Sequence, residues 1–436
     1  MIQSNSIKVA FLTLGCKVNF YETEKMIAQF QSLGFEIVDF SDKADVYIVN
    51  TCTVTNMADR KSRQMLHRAK KNNPHSLVVA VGCYVESGGE KLREDHAVDA
   101  FFTNADKEHM AERFVEHFSL TVNPAERCHK EIRTERTRAF IKIQDGCNQF
   151  CSYCLIPFVR GRGVLRSMTE QQVVDEVKTL AMKNYKEVVL TGIHLSSYGV
   201  DRSDKNNFVQ LEGKPLLSVL RRVAAVDGIE RIRLGSLEPR IITESFLQEL
   251  VQIRKICPHF HLSLQSGCDT VLERMNRHYT AEQYREKVEL IRHYFDKPAM
   301  TTDVIVGFPG ETEEEFGITR NYLRDLQMAD IHVFPYSPRT GTKAANMPNQ
   351  VSPDVKKRRT DILLTDTKQY RAAYGELFDG KREQVLFEEV VEKEGVHYLV
   401  GHNERYVKIG VPLDEAKAKG YEANQISEVT VQYRLD

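Results

Sequence analysis

The residues in this chain best placed to do chemistry are its cysteines. Cys147, Cys151 and Cys154 stand in Cys147-Asn148-Gln149-Phe150-Cys151-Ser152-Tyr153-Cys154, a C-x3-C-x2-C run. Three thiolates on one short loop can each ligate one iron of a 4Fe–4S cube and leave the fourth iron open to a small molecule. A structural zinc site is the alternative reading. Zinc ordinarily takes four protein ligands from paired C-x2-C units, and no second pair lies nearby in the sequence. Three further cysteines, Cys16, Cys52 and Cys83, are 36 and 31 residues apart, in the contexts Leu-Gly-Cys-Lys, Asn-Thr-Cys-Thr and Val-Gly-Cys-Tyr. Each alone reads as a buried structural thiol. Together they are a candidate second three-ligand site. Cys128, Cys257 and Cys268 have no partner pattern and are assigned no role.

The elements that must position these residues follow from hydrophobic periodicity. Residues 9–14, 46–50 and 77–81 read as strands, with helical patterns at 21–33 and 57–71 between them. This βαβαβ rhythm predicts a parallel sheet. Carboxyl ends of its strands share one edge, where ligands bind, so Cys16, Cys52 and Cys83 would converge there. A charged stretch at 123–138 reads as a linker. A second βα series follows, with strands predicted at 140–144, 187–191, 231–235, 259–264, 302–306 and 331–335. Six such units suit a partial (β/α)6 barrel, whose sites lie at the strands' C-terminal ends. A helix is expected over 355–374, then short strands at 384–391, 397–401, 406–411 and 428–433 that suggest a small antiparallel β-barrel. The expected division is an α/β N-terminal domain of doubly wound type over 1–122, the linker, the barrel domain over 139–372 and the antiparallel domain over 373–436.

The 436 residues are 42% hydrophobic and 28% charged, which suits a globular chain and argues against disorder. Lys+Arg is 60 against 61 Asp+Glu, a net charge of −1, so any nucleic-acid surface must be local. No apolar run approaches the roughly 18 residues of a membrane span. Residues 9–16 superficially resemble a lipoprotein signal, but a single preceding cation, Lys8, favours a first strand. A cytoplasmic protein with reduced thiols is expected.

The loop 147–154, placed after the first barrel strand, resembles the signature of the radical S-adenosylmethionine enzymes. The resemblance implies that S-adenosylmethionine chelates the open iron and is cleaved by one electron to a 5′-deoxyadenosyl radical. An electron donor such as flavodoxin or ferredoxin would supply that electron. Tyr153 would pack near the adenine. The contexts of Cys16, Cys52 and Cys83 look like the N-terminal domain of the methylthiotransferases, and residues 399–409 resemble the core of a TRAM domain. The resemblance therefore spans essentially the whole chain. It implies two [4Fe-4S] clusters, the second carrying or donating sulfur, and a product C–SCH3 group formed at an unreactive C–H. It also assigns strand-end groups to S-adenosylmethionine: Tyr153, Gly192, Ser236, Glu238, Gln265 and Arg277. The family's Gly-Gly-Glu is replaced here by Leu190-Thr191-Gly192-Ile193-His194. Asp303 and 308–312 read as a ligand loop or a helix cap, with Thr312 before Glu313–Glu315 a good N-cap.

Branches of that family act on an adenosine beside the tRNA anticodon or on an aspartate of a ribosomal protein. Thr13-Leu14-Gly15-Cys16-Lys17-Val18-Asn19 and residues 144–154 look most like the branch that modifies N6-threonylcarbamoyladenosine at position 37. Isopentenyladenosine and the ribosomal aspartate are the alternatives within the same chemistry; a non-catalytic, metal-stabilised RNA-binding protein is the alternative outside it. A threonylcarbamoyl group carries a carboxylate and needs a cation, whereas isopentenyl needs an apolar pocket. Lys17, Arg160 and Arg162 are the candidate cations. For tRNA phosphates the candidates are the run from Arg60 to Lys71, including Lys61 and Arg63, the Lys356–Arg359 run, and Arg405, Tyr406 and Lys408 near the C-terminus. One feature opposes a simple RNA grip: residues 376–436 hold 8 Lys+Arg against 13 Asp+Glu. The chain is expected to work as a monomer.

Overall fold

The computed structural model describes residues 7–88, 92–120, 137–200 and 211–435. The greater part of the expected linker, and Cys128 within it, lie outside the described residues.

The first unit is a parallel sheet of β1 (Lys8–Thr13), β2 (Glu36–Val38), β3 (Val46–Thr51), β4 (Leu77–Gly82) and β5 (Ala100–Phe102), in the order β2-β1-β3-β4-β5. All six residues of β3 are buried, which explains its apolar run from Val46 to Val49. Helices α1 (Lys17–Ser32), α2 (Asn56–Asn72), α3 (Cys83–Ser87) and α4 (Met110–His117) connect or follow the strands. Apolar clusters cover both faces of the sheet, one around Phe30, Ile48 and Phe114 and the other around Tyr47, Val49 and Leu66. Strand order reverses between β1 and β3, so the loops holding Cys16 and Cys52 flank the switch point.

The barrel is built from two sheets, β7-β6-β8-β9 and β10-β11-β12. Its strands are β6 (Arg138–Asp145), β7 (Arg166–Ser167), β8 (Glu187–Gly192), β9 (Arg231–Leu234), β10 (His259–His261), β11 (Ala299–Val306) and β12 (Asp330–Pro335). Bridges Ile232↔Ile256 and Leu237↔Leu262 join the sheets, and six of the strands run parallel. Alternation along each strand decides what faces where. Ile141, Leu190, Ile232, Phe260, Val304 and Ile331 enter the outer core beneath the helices. Residues of the opposite parity face the lumen and are mostly polar: Lys142, Gln144, Thr191, Arg233, His261, Asp303 and His332 among them. The expected cap is present, with the Thr312 side chain and Glu315 closing a capping box on the helix Glu313–Leu326.

The helix Pro353–Glu376 lies along β12 and leads to the third unit. This is an antiparallel sheet in the order β16-β13-β14-β15-β17, with β13 Arg382–Lys393, β14 Val396–His402, β15 Lys408–Pro412, β16 Ile426–Thr430 and β17 Tyr433–Arg434. It docks on the N-terminal ends of the barrel strands. Arg231 donates to the carbonyls of His402 (3.1 Å) and Gln384 (2.5 Å), and Arg233 to that of Glu404 (2.9 Å). Tyr406, in the left-handed region at φ 68°, lies between the guanidiniums of Arg138 and Arg233, 4.7 and 4.8 Å away. Among the described residues no helix is long and apolar enough to cross a membrane.

Candidate active site: two cysteine triads at one domain interface

Cys16 follows β1, Cys52 follows β3 and Cys83 opens α3 directly after β4. Their loops are packed tightly. A Cβ on Gly15 would lie 2.7 Å from Cys52 Sγ, and Gly15 itself is left-handed at φ 97°. Asn19 ties the loops together, donating from Nδ2 to the carbonyls of Leu14 (2.7 Å) and Thr51 (3.0 Å). Burial pushes the Cys52 thiol up to about 11, and the neighbouring Cys83 and Cys16 add to the rise.

Cys147, Cys151 and Cys154 lie on the loop beyond β6, at the C-terminal mouth of the barrel. Gln144, the penultimate residue of β6, holds this loop to β8. Its Nε2 donates to the carbonyls of Asp145 (2.9 Å) and Gly146 (2.8 Å), and its Oε1 accepts from His194 N (2.7 Å). Ser152 is fixed by Met275 and Arg274 carbonyls at 3.0 and 2.8 Å. Burial pushes the Cys147 thiol up to about 12. Cys154 is raised too, by burial and by Cys151 and Cys147 beside it.

This electrostatic pattern is the test of fit. At Cys52, Cys147 and Cys154 burial resists deprotonation until a cation compensates the thiolate, and iron is such a cation. Each triad also receives a guanidinium: Arg277 donates to Cys151 Sγ at 3.3 Å and Arg160 to Cys83 Sγ at 3.4 Å. The residues present fit two three-thiolate clusters.

Arg160 joins the two units. Besides Cys83 it donates to Asn19 Oδ1 (2.8 Å), to both Glu22 oxygens (2.8 and 3.0 Å) and to Asp145 (3.2 Å). Glu22 is a hub, accepting also from Lys107 (2.6 Å) and Lys142 (2.8 Å). Burial alone would raise the Glu22 carboxyl, but Arg160, Lys107 and Lys142 hold it well below the usual range. A second clamp is Arg339, which reaches Thr53 (2.6 Å), Asn56 (2.6 Å) and Asp59 (2.7 Å) beside Cys52.

Of the groups assigned to S-adenosylmethionine, Tyr153, Glu238 and Arg277 gather around Cys147 and Cys151, within electrostatic range. Glu238 is buried and accepts from Arg240 Nε at 2.8 Å. Tyr153 packs edge-on against Phe308, 6.3 Å between centroids. Gly192 lies against Gln144, where a Cβ would come within 2.8 Å of Oε1. Gln265 is buried in the left-handed region at φ 74°, and Ser236 is exposed just past β9. His194 joins this group, and burial with Arg277 and Arg240 lowers its pKa to about 3.

The candidate cations fare differently. Arg160 is 3% exposed and fully engaged, so it is not free to meet a substrate carboxylate. Arg162 is exposed at φ 51°. Lys17 is solvent-accessible at the start of α1, and its electrostatic neighbours Arg233, Arg138, Glu187 and Asp303 are all barrel residues. Lys61 and Arg63 are exposed on α2, with Arg63 on the Tyr84 hydroxyl at 2.6 Å. Arg405 directs its guanidinium to the carbonyls of Asp296 and Lys297 at 3.0 and 3.1 Å. Tyr406 is held in the same docking interface, and Lys408 is half-buried in β15. Sequence reasoning missed Glu22, Lys107 and Arg339, which carry no motif of their own; Asn19 and Gln144 stood within quoted motifs but were given no role.

Residues 8–103 match the model described as "Uncharacterized protein family UPF0004" and residues 141–323 that of the radical SAM superfamily. The chain is 40% identical over 414 residues to the threonylcarbamoyladenosine tRNA methylthiotransferase MtaB of Bacillus subtilis, covering 92% of this chain and 89% of that protein. It is 33% identical over 391 residues to a tRNA-2-methylthio-N(6)-dimethylallyladenosine synthase of Clostridium novyi, covering 86% and 84%. Among solved structures, the radical S-adenosylmethionine methyltransferase TsrM of Kitasatospora setae superposes with a TM-score of 0.56 at 16% identity, over 78% of this chain and 75% of that one, a likeness of fold.

Proposed function

The chain belongs to the radical SAM methylthiotransferases, and from that premise we propose that it converts N6-threonylcarbamoyladenosine at position 37 of tRNA, 3′ of the anticodon, to its 2-methylthio form. The family uses S-adenosylmethionine and a [4Fe–4S] cluster, and its methylthiotransferases carry a second cluster. Cys147, Cys151 and Cys154 would hold the first and Cys16, Cys52 and Cys83 the second. When bound, the first supplies the electron for cleaving S-adenosylmethionine and the second supplies sulfur.

The observation that carries this reading is the pair of triads at one interface, each with a guanidinium on a thiol. The chain's own residues then do three things. Arg277 and Arg160 each aim a guanidinium donor at a cysteine sulfur, Cys151 and Cys83, and so hold those side chains in place. Gln144 fixes the cluster loop against the strand end that carries Gly192 and His194, so a ligand between them meets a preset wall. Glu22, Arg160 and Arg339 hold the two units in one register, so that both cysteine sites can serve one substrate. We extend the reading to a cytoplasmic monomer that takes tRNA as partner, a flavodoxin- or ferredoxin-like reductant, and a C-terminal domain of TRAM type.

The test is nucleoside mass analysis of tRNA from a strain lacking the gene. Loss of 2-methylthio-N6-threonylcarbamoyladenosine, restored by the intact gene, is expected. An unchanged nucleoside pattern would defeat the proposal, and loss of the isopentenyl product would transfer it to that branch.

A further inference from the structure

The barrel lumen holds one polar cluster that neither cysteine triad uses. His261 on β10, Asp303 on β11 and His332 on β12 bring their nitrogen and oxygen atoms within 4.8 Å of one another. His332 Nδ1 is 3.2 Å from Asp303 Oδ1, and His261 Nε2 is 3.3 Å from Asp303 Oδ2. The other nitrogen of His261 meets Thr301 Oγ1 at 3.0 Å, and the two imidazoles stack with centroids 5.5 Å apart. Strand register explains the grouping, since Asp303 pairs with His332 and Thr301 stands opposite His261.

Side-chain exposure rises from 11% at His261 to 27% at Asp303 and 55% at His332, so the cluster opens toward β12. There Phe334, on the same face two residues on, is 43% exposed. An exposed ring beside an open polar cluster is a free stacking surface. Lys17 is within electrostatic range of Asp303 and His332. It makes no hydrogen bond or ion pair among the described residues. The guanidiniums on the same inner wall are already matched, Arg233 by Glu187 and Arg138 by Glu388.

Two His and one Asp also have the make-up of a metal site. Asp303 is already bridged by His261 and His332, and a divalent cation would meet the ammonium of Lys17, which forms no ion pair among the described residues, as a like charge, so an anion fits there better.

We propose that this lumen pocket receives the substrate adenosine, with Phe334 stacking on the base and Lys17 and His332 pairing with the carboxylate of its threonylcarbamoyl group. The proposal rests on the substrate reading above. Asp303 orients His332 and is a positioning residue. An isopentenyl group in the same place would leave Lys17 and His332 unpaired, and a site built for polar partners rejects an analogue that lacks them by large factors.

The experiment measures binding of the reconstituted full chain to anticodon stem-loop RNAs carrying N6-threonylcarbamoyladenosine, isopentenyladenosine or plain adenosine. The unaltered chain should prefer the first by about 100-fold over the second. Lys17→Met and His332→Phe should each cut that preference to within about tenfold, while Lys17→Arg keeps it. Iron and sulfide content reports whether Lys17→Met disturbs the neighbouring Cys16; if it does, His332→Phe decides alone. Preference absent in the unaltered chain would sink the substrate reading itself. Preference present there and retained in His332→Phe would overturn the pocket and leave the reading intact. One equivalent of manganese(II) held by the unaltered chain and lost in His332→Phe would overturn it in favour of a metal site.

Discussion

Gly146 has a left-handed backbone at φ 80°, and a Cβ there would fall 2.0 Å from the Val164 carbonyl oxygen. Neither feature tolerates a side chain. Gly146→Ala should therefore displace the loop bearing Cys147, and metal analysis should show iron falling from about eight to about four per chain, the share of one cube. Arg160 is the opposite case, a large charged side chain that is almost wholly enclosed. Its truncation to Met leaves Glu22 with Lys107 and Lys142 and Asp145 with Lys142 alone, so the loss should stay below the roughly 3–5 kcal/mol of a fully broken buried pair. Denaturant unfolding should register that loss, and Arg160→Lys should recover only part of it. At this scale the sequence was unevenly legible. The six ligand candidates stand out by type and spacing, because thiols in pattern are rare. Arg160 reads as a free cation because the partners that occupy it, Glu22 and Asn19, lie 138 and 141 residues away in the chain.

Elements long enough to show a period were readable, and short ones were not. The helix expected over 355–374 is Pro353–Glu376, and the strand expected over 46–50 is Val46–Thr51. β2 and β5, three residues each, have no room for alternation to appear. β10 ends at His261 rather than Leu264, since the chain there bonds to β11 only through isolated bridges such as Gln265↔Val304. The docking of β13 and β14 beneath β9 belongs to this scale as well. Glu187, 1% exposed, would have its pKa raised by burial alone, but Arg233 beside it brings the net shift below the ordinary carboxylate value. A carboxyl with a depressed folded pKa adds stability that is complete above its unfolded pKa and is lost as pH falls through the lower folded value. Unfolding free energy of the cluster-free chain should thus decline on acidification below about pH 4.5, and Glu187→Gln should flatten that decline. An unchanged pH slope in the variant would show that the pair does not contribute.

For the molecule as a whole, the near-zero net charge conceals where RNA can be held. Arg60, Lys61, Arg68 and Lys71 are exposed along α2, whose first residue touches Ser337 and Pro338 at the barrel mouth. Neutralising these four should weaken tRNA binding at low salt and reduce the slope of log affinity against log salt by about 0.7–0.9 for each phosphate left without its cation. Electrophoretic mobility shifts across a salt series would measure it, and an unaltered slope would remove α2 from the interface. Within the acidic stretch 376–436, Arg405 and Tyr406 make contacts that dock it to the barrel. Nothing in a linear sequence distinguishes a cation facing solvent from one facing another domain. The Glu22 hub carries this point into heredity. Lys107 comes from the first unit, while Lys142 and Arg160 come from the second, and all three converge on one carboxylate. A chimaera that exchanged only one unit with a distant relative would keep Lys107 beside Glu22 but would separate that carboxylate from Lys142 and Arg160. The two cysteine-bearing units are thus tied by charge as well as by packing, and exchanging one alone breaks two of the three ion pairs on Glu22.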